Sequence, residues 1–161
     1  MNEPEPRDDL FTPSLRGVVR KPRTEGSRPW RLGSQFYVAF LGGALAVAAI
    51  AWFNSERLGM RPSTRRWIPV IGIAGCIASV LAAVATGADL GGAQRLAVRV
   101  GGVATFGALY LLQRAPDRVY HAFTEGDDEV LYDSLWIPGL AATIGLGIVQ
   151  ALLLAAALGA V

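Results

Sequence analysis

The 161-residue chain is poor in charged side chains, and those it has are unevenly distributed. Only 17% of its residues are charged, against roughly 25% in an average soluble domain, whereas 52% are apolar. Three stretches carry no charge at all, namely residues 36–53, 67–88 and 135–161. A helix needs roughly 20 apolar residues to cross a bilayer, and a soluble fold of this size has no core deep enough for three such helices. The sequence therefore predicts an integral membrane protein.

Cysteine and histidine are almost absent. Cys76 is the only cysteine and lies inside an apolar run, which excludes an internal disulfide framework. The sequence contains no G-x-S-x-G turn, no H-E-x-x-H pair and no phosphate-binding Gly-Lys loop. We therefore predict a protein without catalytic residues, without a cofactor and without a metal site.

One segment concentrates titratable groups and leaves an alternative open. The only histidine, His121, is followed within twelve residues by five acidic residues: Glu125, Asp127, Asp128, Glu129 and Asp133. Their spacing matches neither a zinc site nor a calcium-binding loop. We interpret residues 114–134 as a charged surface loop, with a metal- or acid/base-dependent membrane enzyme as the alternative.

The first 34 residues lack the apolar core of a signal peptide. They contain seven basic residues, and their composition is typical of a disordered, basic tail. Trp30 is the only aromatic residue within the basic part, so a folded basic face for nucleic acid is not predicted. We divide the chain into a polar, basic tail (1–34) and a helical membrane domain (35–161).

Within that domain we predict an all-α, four-helix bundle with spans at residues 35–54, 67–88, 94–113 and 135–160. The third span includes Arg95 and Arg99, which share one helix face near its end. Their long side chains can reach the headgroup region from there. The lipid bilayer is therefore the first partner that the sequence predicts.

Two tripeptides repeat at the beginning of apolar runs, Trp67-Ile68-Pro69 and Trp136-Ile137-Pro138. Tryptophan is enriched where acyl chains meet headgroups, and proline is tolerated in the first turn of a helix. We interpret Trp67, Pro69, Trp136 and Pro138, together with Arg95 and Arg99, as interfacial anchors.

Small residues recur every fourth position on two helices. The second predicted span contains Gly75, Ser79 and Ala83 in this pattern, and the fourth contains Gly139, Thr143, Gly147, Ala151 and Ala155. Such strips allow a neighbouring backbone to approach closely, so we predict that both are helix-packing faces.

These observations favour a non-catalytic interaction or accessory subunit that binds another membrane protein or a second copy of itself. A small homo-oligomeric channel or transporter is the alternative, with Thr105, Tyr110 and Gln150 along its axis. Gln150 is the strongly polar side chain near the middle of the last run, and we expect its amide to hydrogen-bond a neighbouring helix.

Basic residues concentrate on the cytoplasmic side of membrane proteins. With four spans and the N-terminus inside, nine basic residues lie inside and six outside. We therefore expect a cytoplasmic N-terminus in a bacterial inner membrane.

The segment from Ser34 to Met60 resembles a group of small uncharacterised bacterial four-helix membrane proteins. The resemblance rests on an "FLGGPLA"-like stretch, here residues 40–46, and an Asn-x-x-Arg-Leu-Gly ending, here Asn54, Arg57, Leu58 and Gly59. Ala44 replaces the proline of that group. The resemblance implies the fold and a bacterial origin, but no activity.

Overall fold

The computed structural model describes residues 27–86, 92–123 and 132–159. A 3₁₀ turn at Leu32–Ser34 leads into α1 (Gln35–Arg57), the short α2 (Pro62–Arg65), α3 (Trp67–Ala85), α4 (Gly92–Phe123) and α5 (Trp136–Gly159). Of these, α1, α3, α4 and α5 are long and apolar enough to cross a membrane. The prediction of an all-α, four-helix membrane bundle is confirmed.

The first helix does not run straight, which corrects the predicted single span at 35–54. The side-chain amide nitrogens of Gln35 and Asn54 both lie 3.4 Å from Oε1 of Gln113, and hence within about 7 Å of each other. In a straight helix, residues 19 apart are separated by about 28 Å. The helix therefore folds back on itself and forms a hairpin of two arms, residues 35–42 and 44–57.

The fold-back occurs at Gly43, which has φ 77° and ψ −165°. This region of backbone conformation is accessible essentially to glycine alone. Gly42 lies at the same tip, where a Cβ atom would lie 2.8 Å from Cα of Thr143 in α5. Hydropathy does not detect such a turn, because two apolar arms joined by glycines have the same composition as one apolar span.

The second arm ends in a regular helix stop. Gly59 adopts φ 62°, its N–H donates to the carbonyl of Glu56, and the N–H of Met60 donates to the carbonyl of Ser55. These two bonds form a Schellman motif, which satisfies carbonyls that the helix itself leaves without partners.

The hairpin enters and leaves at one end of the bundle, which we call the capped end. Here Ile68, at the beginning of α3, packs in one core cluster with Ala51 of the second arm. Leu135, just before α5, packs in another with Trp30 and Val38. We call the other end the open end; there α3 and α5 finish and α4 begins, so α3, α4 and α5 each run from one end to the other.

The hairpin is the centre of the bundle. In its most apolar 18-residue window 56% of the residues are buried, against 28% in α3, 22% in α4 and 6% in α5. The other three helices surround the hairpin and direct their outer faces toward lipid.

Residues 27–34, which the sequence analysis assigns to the tail, belong to the fold. Trp30 is buried, its N–H donates to Oδ1 of Asn54 at 2.7 Å, and its carbonyl accepts from Nδ2 of Asn54 at 3.2 Å. The Arg57 guanidinium lies 3.9 Å from the Trp30 ring centroid and 3.0 Å from the Asp133 carboxylate. The predicted disorder of residues 1–26 lies outside the described residues.

Residues 114–123 are helical, which corrects their interpretation as part of a loop. α4 continues through Pro116 to Phe123, ten residues past the predicted end at 113. A helix need not stop where its apolar stretch stops, because water and polar side chains can satisfy its backbone beyond the membrane.

Candidate binding cleft

The hairpin fills the space between α4 and α5 only in the capped half of the bundle. α4 and α5 make almost no contact with each other directly. From the tip to the open end α5 continues for nine residues, about 14 Å. A cleft of about 480 Å³ remains between the two helices, with the hairpin tip as its floor. It is lined by Phe40, Leu41, Gly42, Gln94, Arg95, Val98, Arg99, Gly147, Gln150, Ala151, Leu154 and Ala155.

Gln150 lies at the inner end of this cleft and is only 2% exposed. Its Oε1 accepts a hydrogen bond of 3.4 Å from the backbone N–H of Leu45, the second residue of the second arm. Glycine at position 43 has no side chain to cap this arm, so Gln150 replaces the N-cap from a neighbouring helix. The expectation that the Gln150 amide bonds a neighbouring helix is confirmed.

The nitrogen of the Gln150 amide, unlike its oxygen, lacks a hydrogen-bond partner in the described part of the chain. Nε2 of Gln150 is buried and has no hydrogen-bond partner among the described residues. Exchanging the oxygen and nitrogen would not help, because the nitrogen would then face the donor N–H of Leu45. A buried unpaired amide donor costs about 1–3 kcal/mol. The arrangement therefore leaves a hydrogen-bond donor without a described acceptor beside the cleft, packed against Gly43 and with almost no accessible surface of its own.

Arg95 and Arg99 provide the charge of the cleft. Both side chains are exposed, and the Arg99 guanidinium lies 4.9 Å from the Phe40 ring centroid, within cation–π range. No described carboxylate forms an ion pair with either arginine, and none lines the cleft. The interfacial arginines of the sequence analysis thus lie in a concave, basic site.

The five small residues predicted to form a packing face on α5, which we call the α5 strip, divide into two parts. Gly139 is buried, and a Cβ on it would lie 3.1 Å from Val38. A Cβ on Gly147 would lie 3.5 Å from Cα of Gly42, and Thr143 lies against the same glycine. Ala151 and Ala155, in contrast, are exposed and line the cleft, because the hairpin ends before it reaches them. The predicted packing face therefore does not extend to these two alanines.

The small residues predicted to form a packing face on α3, namely Gly75, Ser79 and Ala83, face α4. A Cβ on Gly75 would clash with Thr105, and a Cβ on Gly101 would clash with Ser79. Ala83 is fully buried. The two helices approach closely at these pairs.

The predicted tryptophan and proline anchors lie at the capped end, whereas the predicted anchors Arg95 and Arg99 lie near the open end. Trp67 is 51% exposed and Trp136 78% exposed, each as the first residue of its helix. Pro69 and Pro138 are the third residues of the same helices.

The residues proposed to line a channel do not share one path within the chain. Thr105 is buried against Gly75, Tyr110 is on an exposed face, and Gln150 contacts the hairpin tip. An axial path through one copy would need these three side chains on a common surface.

The acidic cluster is only partly described. Residues 125–129 lie outside the described residues, and Asp133 is paired with Arg57. His121 is on an exposed part of α4. Among the described residues, no three His, Cys, Asp or Glu side chains come close enough to hold a metal ion.

Comparisons with models of protein families, with curated proteins and with solved structures find no match to this chain.

The cleft was not predicted from the sequence, although the sequence contains part of the pattern that indicates it. Gly42 and Gly43 lie in the middle of an apolar run that is flanked by Gln35 and Asn54. Paired glycines indicate a break in the helix, and the two flanking amides are polar groups that need hydrogen-bond partners. That Gln150 lies next to this break is visible only once the helices are packed together.

Proposed function

We propose that this chain is a non-catalytic, multi-pass protein of a bacterial inner membrane. It binds a membrane-soluble ligand in the cleft and works as an interaction or accessory subunit. The observation that carries this proposal is the cleft itself, an apolar recess that contains Arg95 and Arg99 without an ion-pair partner among the described residues. A ligand with an acceptor atom pairs with these arginines, and the apolar lining receives the remainder of the ligand.

The cleft is well suited to this role because it is held open by a rigid element. The hairpin tip is held between two helices: Gly42 lies against Thr143 and Gly43 against Gln150 of α5, and the carbonyl of Ala39 lies against Gly102 of α4. Irregular backbone inside a membrane is tolerated where it is buried in protein or lines a cavity, and broken helices often build binding sites there.

The fold-back also bears on orientation. Because the hairpin returns to the capped end, residues 27–34, the α1–α3 connection and the end of α4 all lie on one side. Of the ten basic residues that the structure describes, eight lie on that side, and only Arg95 and Arg99 belong to the open end. Four straight spans would divide the same ten residues into four and six, so the hairpin arrangement strengthens the case for a cytoplasmic N-terminus. It moves the C-terminus to the opposite side.

Filling the cleft tests the proposal. Ala151 is exposed within the cleft, whereas Ala156 is exposed on α5 outside it. The wild-type protein, extracted in mild detergent, is expected to carry a bound adduct in native mass spectrometry. Ala151→Trp should lose this adduct because the indole ring occupies its space, and Ala156→Trp should keep it.

Two results contradict the proposal. One is a wild-type protein without any adduct, and the other is the same adduct in wild type and Ala151→Trp. His121→Ala should keep the adduct as well, since His121 is not part of the cleft. Loss of a cellular phenotype by that variant at normal abundance would favour the enzyme alternative instead.

A further inference from the structure

We propose that the ligand of the cleft is an anionic phospholipid whose phosphate binds Arg95, Arg99 and Gln150. This inference rests on the proposed binding function and names the class of ligand. It is carried by the charge of the cleft, its depth, its unsatisfied donor and its apolar lining.

The charge selects an anion. Among the described residues, Arg95 and Arg99 are the only charged ones that line the cleft, and no acidic one lines it. Two guanidinium groups one helical turn apart are suited to the oxygens of a phosphate, which can accept paired N–H donors.

The depth places these charges where a lipid phosphate lies. Arg95 and Arg99 are the fourth and eighth residues of α4, about 5 and 10 Å from its beginning at the open end. At this level the headgroup region passes into the hydrocarbon region, where an uncompensated guanidinium is costly. The Phe40 ring supplies part of the compensation for Arg99, and a bound phosphate would supply the rest.

The unsatisfied donor lies at the inner end. Nε2 of Gln150 has no acceptor among the described residues, and a phosphate or ester oxygen, itself an acceptor, binds it once the side chain turns from Gly43 toward the cleft. The same side chain caps the second arm of the hairpin, a helix of 14 residues whose N-terminus is favourable for negative charge.

The lining selects an amphiphile over a soluble anion. Leu41, Val98 and Leu154 form most of the remaining wall, together with Ala151 and Ala155. An acyl chain can lie along these side chains without losing contact with apolar surface, whereas a hydrated anion would leave them facing water. Phosphate and apolar chain are both present in a phospholipid.

The experiment compares lipid binding in the full-length protein. Native mass spectrometry measures retention of phosphatidylglycerol and phosphatidylcholine at equal added concentrations. Wild type should prefer phosphatidylglycerol by at least about tenfold, since each basic residue near a membrane surface contributes about a factor of five toward anionic lipid. The double variant Arg95→Gln/Arg99→Gln should lower this preference to near one. Arg95→Lys/Arg99→Lys should retain part of it.

Arg61→Gln/Arg66→Gln is the matched control, because these two arginines are exposed at the capped end, away from the cleft. It should keep the full preference. A second arm adds inorganic phosphate alone and measures the melting temperature. A rise as large as that produced by phosphatidylglycerol would show a site for soluble anions and overturn the lipid assignment.

The two proposals fail separately. Loss of the adduct in Ala151→Trp with an unchanged preference in Arg95→Gln/Arg99→Gln would overturn the phospholipid and leave the binding cleft standing. An adduct that survives Ala151→Trp would overturn both.

Discussion

Asn54 connects the segment before α1 to the hairpin and to α4. It is fully buried, binds both backbone groups of Trp30, and donates to Oε1 of Gln113 at 3.4 Å. Gln113 in turn donates to the carbonyl of Ala51 at 2.7 Å. Networks of this kind stabilise a structure strongly only when every member is satisfied.

Replacing Asn54 by Leu should therefore lower the free energy of unfolding by about 2–4 kcal/mol. The substitution keeps the size of the side chain but leaves the Trp30 N–H and carbonyl without their partner. Thermal unfolding in detergent measures the loss. Phe53→Leu, at a neighbouring exposed position, should change the melting temperature little.

A melting temperature for Asn54→Leu equal to that of Phe53→Leu would show that water satisfies the Trp30 backbone. The network would then contribute little to stability.

Gly147 belongs to the packed part of the α5 strip. A Cβ there would lie 3.5 Å from Cα of Gly42, so the larger Leu side chain would push α5 away from the hairpin tip. We expect Gly147→Leu to destabilise the protein by about 1–3 kcal/mol through overpacking. Gly145→Leu provides the control, because a Cβ at Gly145 meets nothing within 4 Å.

If Gly147→Leu and Gly145→Leu have the same melting temperature, the small residues of α5 are not a packing face. Leu153→Ile, on an exposed face of the same helix, should melt as the wild type does in either case.

At the scale of the element, the hairpin depends on its tip. Gly43 is the residue with non-helical dihedral angles inside α1, and Gln150 lies directly over it. The first residue of the second arm is Ala44.

Replacing Gly43 by Ala should lower stability by about 1–3 kcal/mol from backbone strain alone. A further loss should arise because the new Cβ would lie 2.5 Å from Oε1 of Gln150, which would have to leave the N–H of Leu45. Urea or thermal unfolding in detergent measures the effect. Gly145→Ala is the matched control and should be neutral or slightly stabilising, since Gly145 is helical and its surroundings are open.

Equal stability of Gly43→Ala and Gly145→Ala would mean that the chain does not turn at Gly43. A straight α1 would be the natural explanation.

At the scale of the whole molecule, the hairpin changes which ends of the chain share a side. Three helices run between the two ends of the bundle, so Ser27 and Gly159 lie at opposite ends. Four straight spans would place them on the same side. Ser27 and Ser63, on either side of α1, give the converse test. A hairpin keeps both at the capped end, whereas a straight first span would place them on opposite sides.

Single cysteines test this topology in a Cys76→Ala background, which removes the only native thiol. On intact cells, a membrane-impermeant maleimide should leave S27C and S63C unlabelled and should label G159C. Labelling after permeabilisation controls for accessibility. Opposite labelling of S27C and S63C would restore the four-span topology.

The sequence by itself determined the membrane class, the all-α architecture and the beginnings of α3 and α5. These features follow from the length of uncharged runs and from tryptophan and proline at their edges, which are local properties of the chain. It also indicated that Gln150 bonds a neighbouring helix.

The tertiary structure decided that the first apolar run is a hairpin and not a span. A fold-back and a straight crossing have the same hydropathy, and the contacts among Gln35, Asn54 and Gln113, together with the dihedral angles of Gly43, distinguish them. The cleft follows from the same fact, since its walls belong to α4 and α5 and its floor to a hairpin that ends halfway. Residues far apart in sequence, such as Arg99 and Gln150, become one site because an element between them stops short.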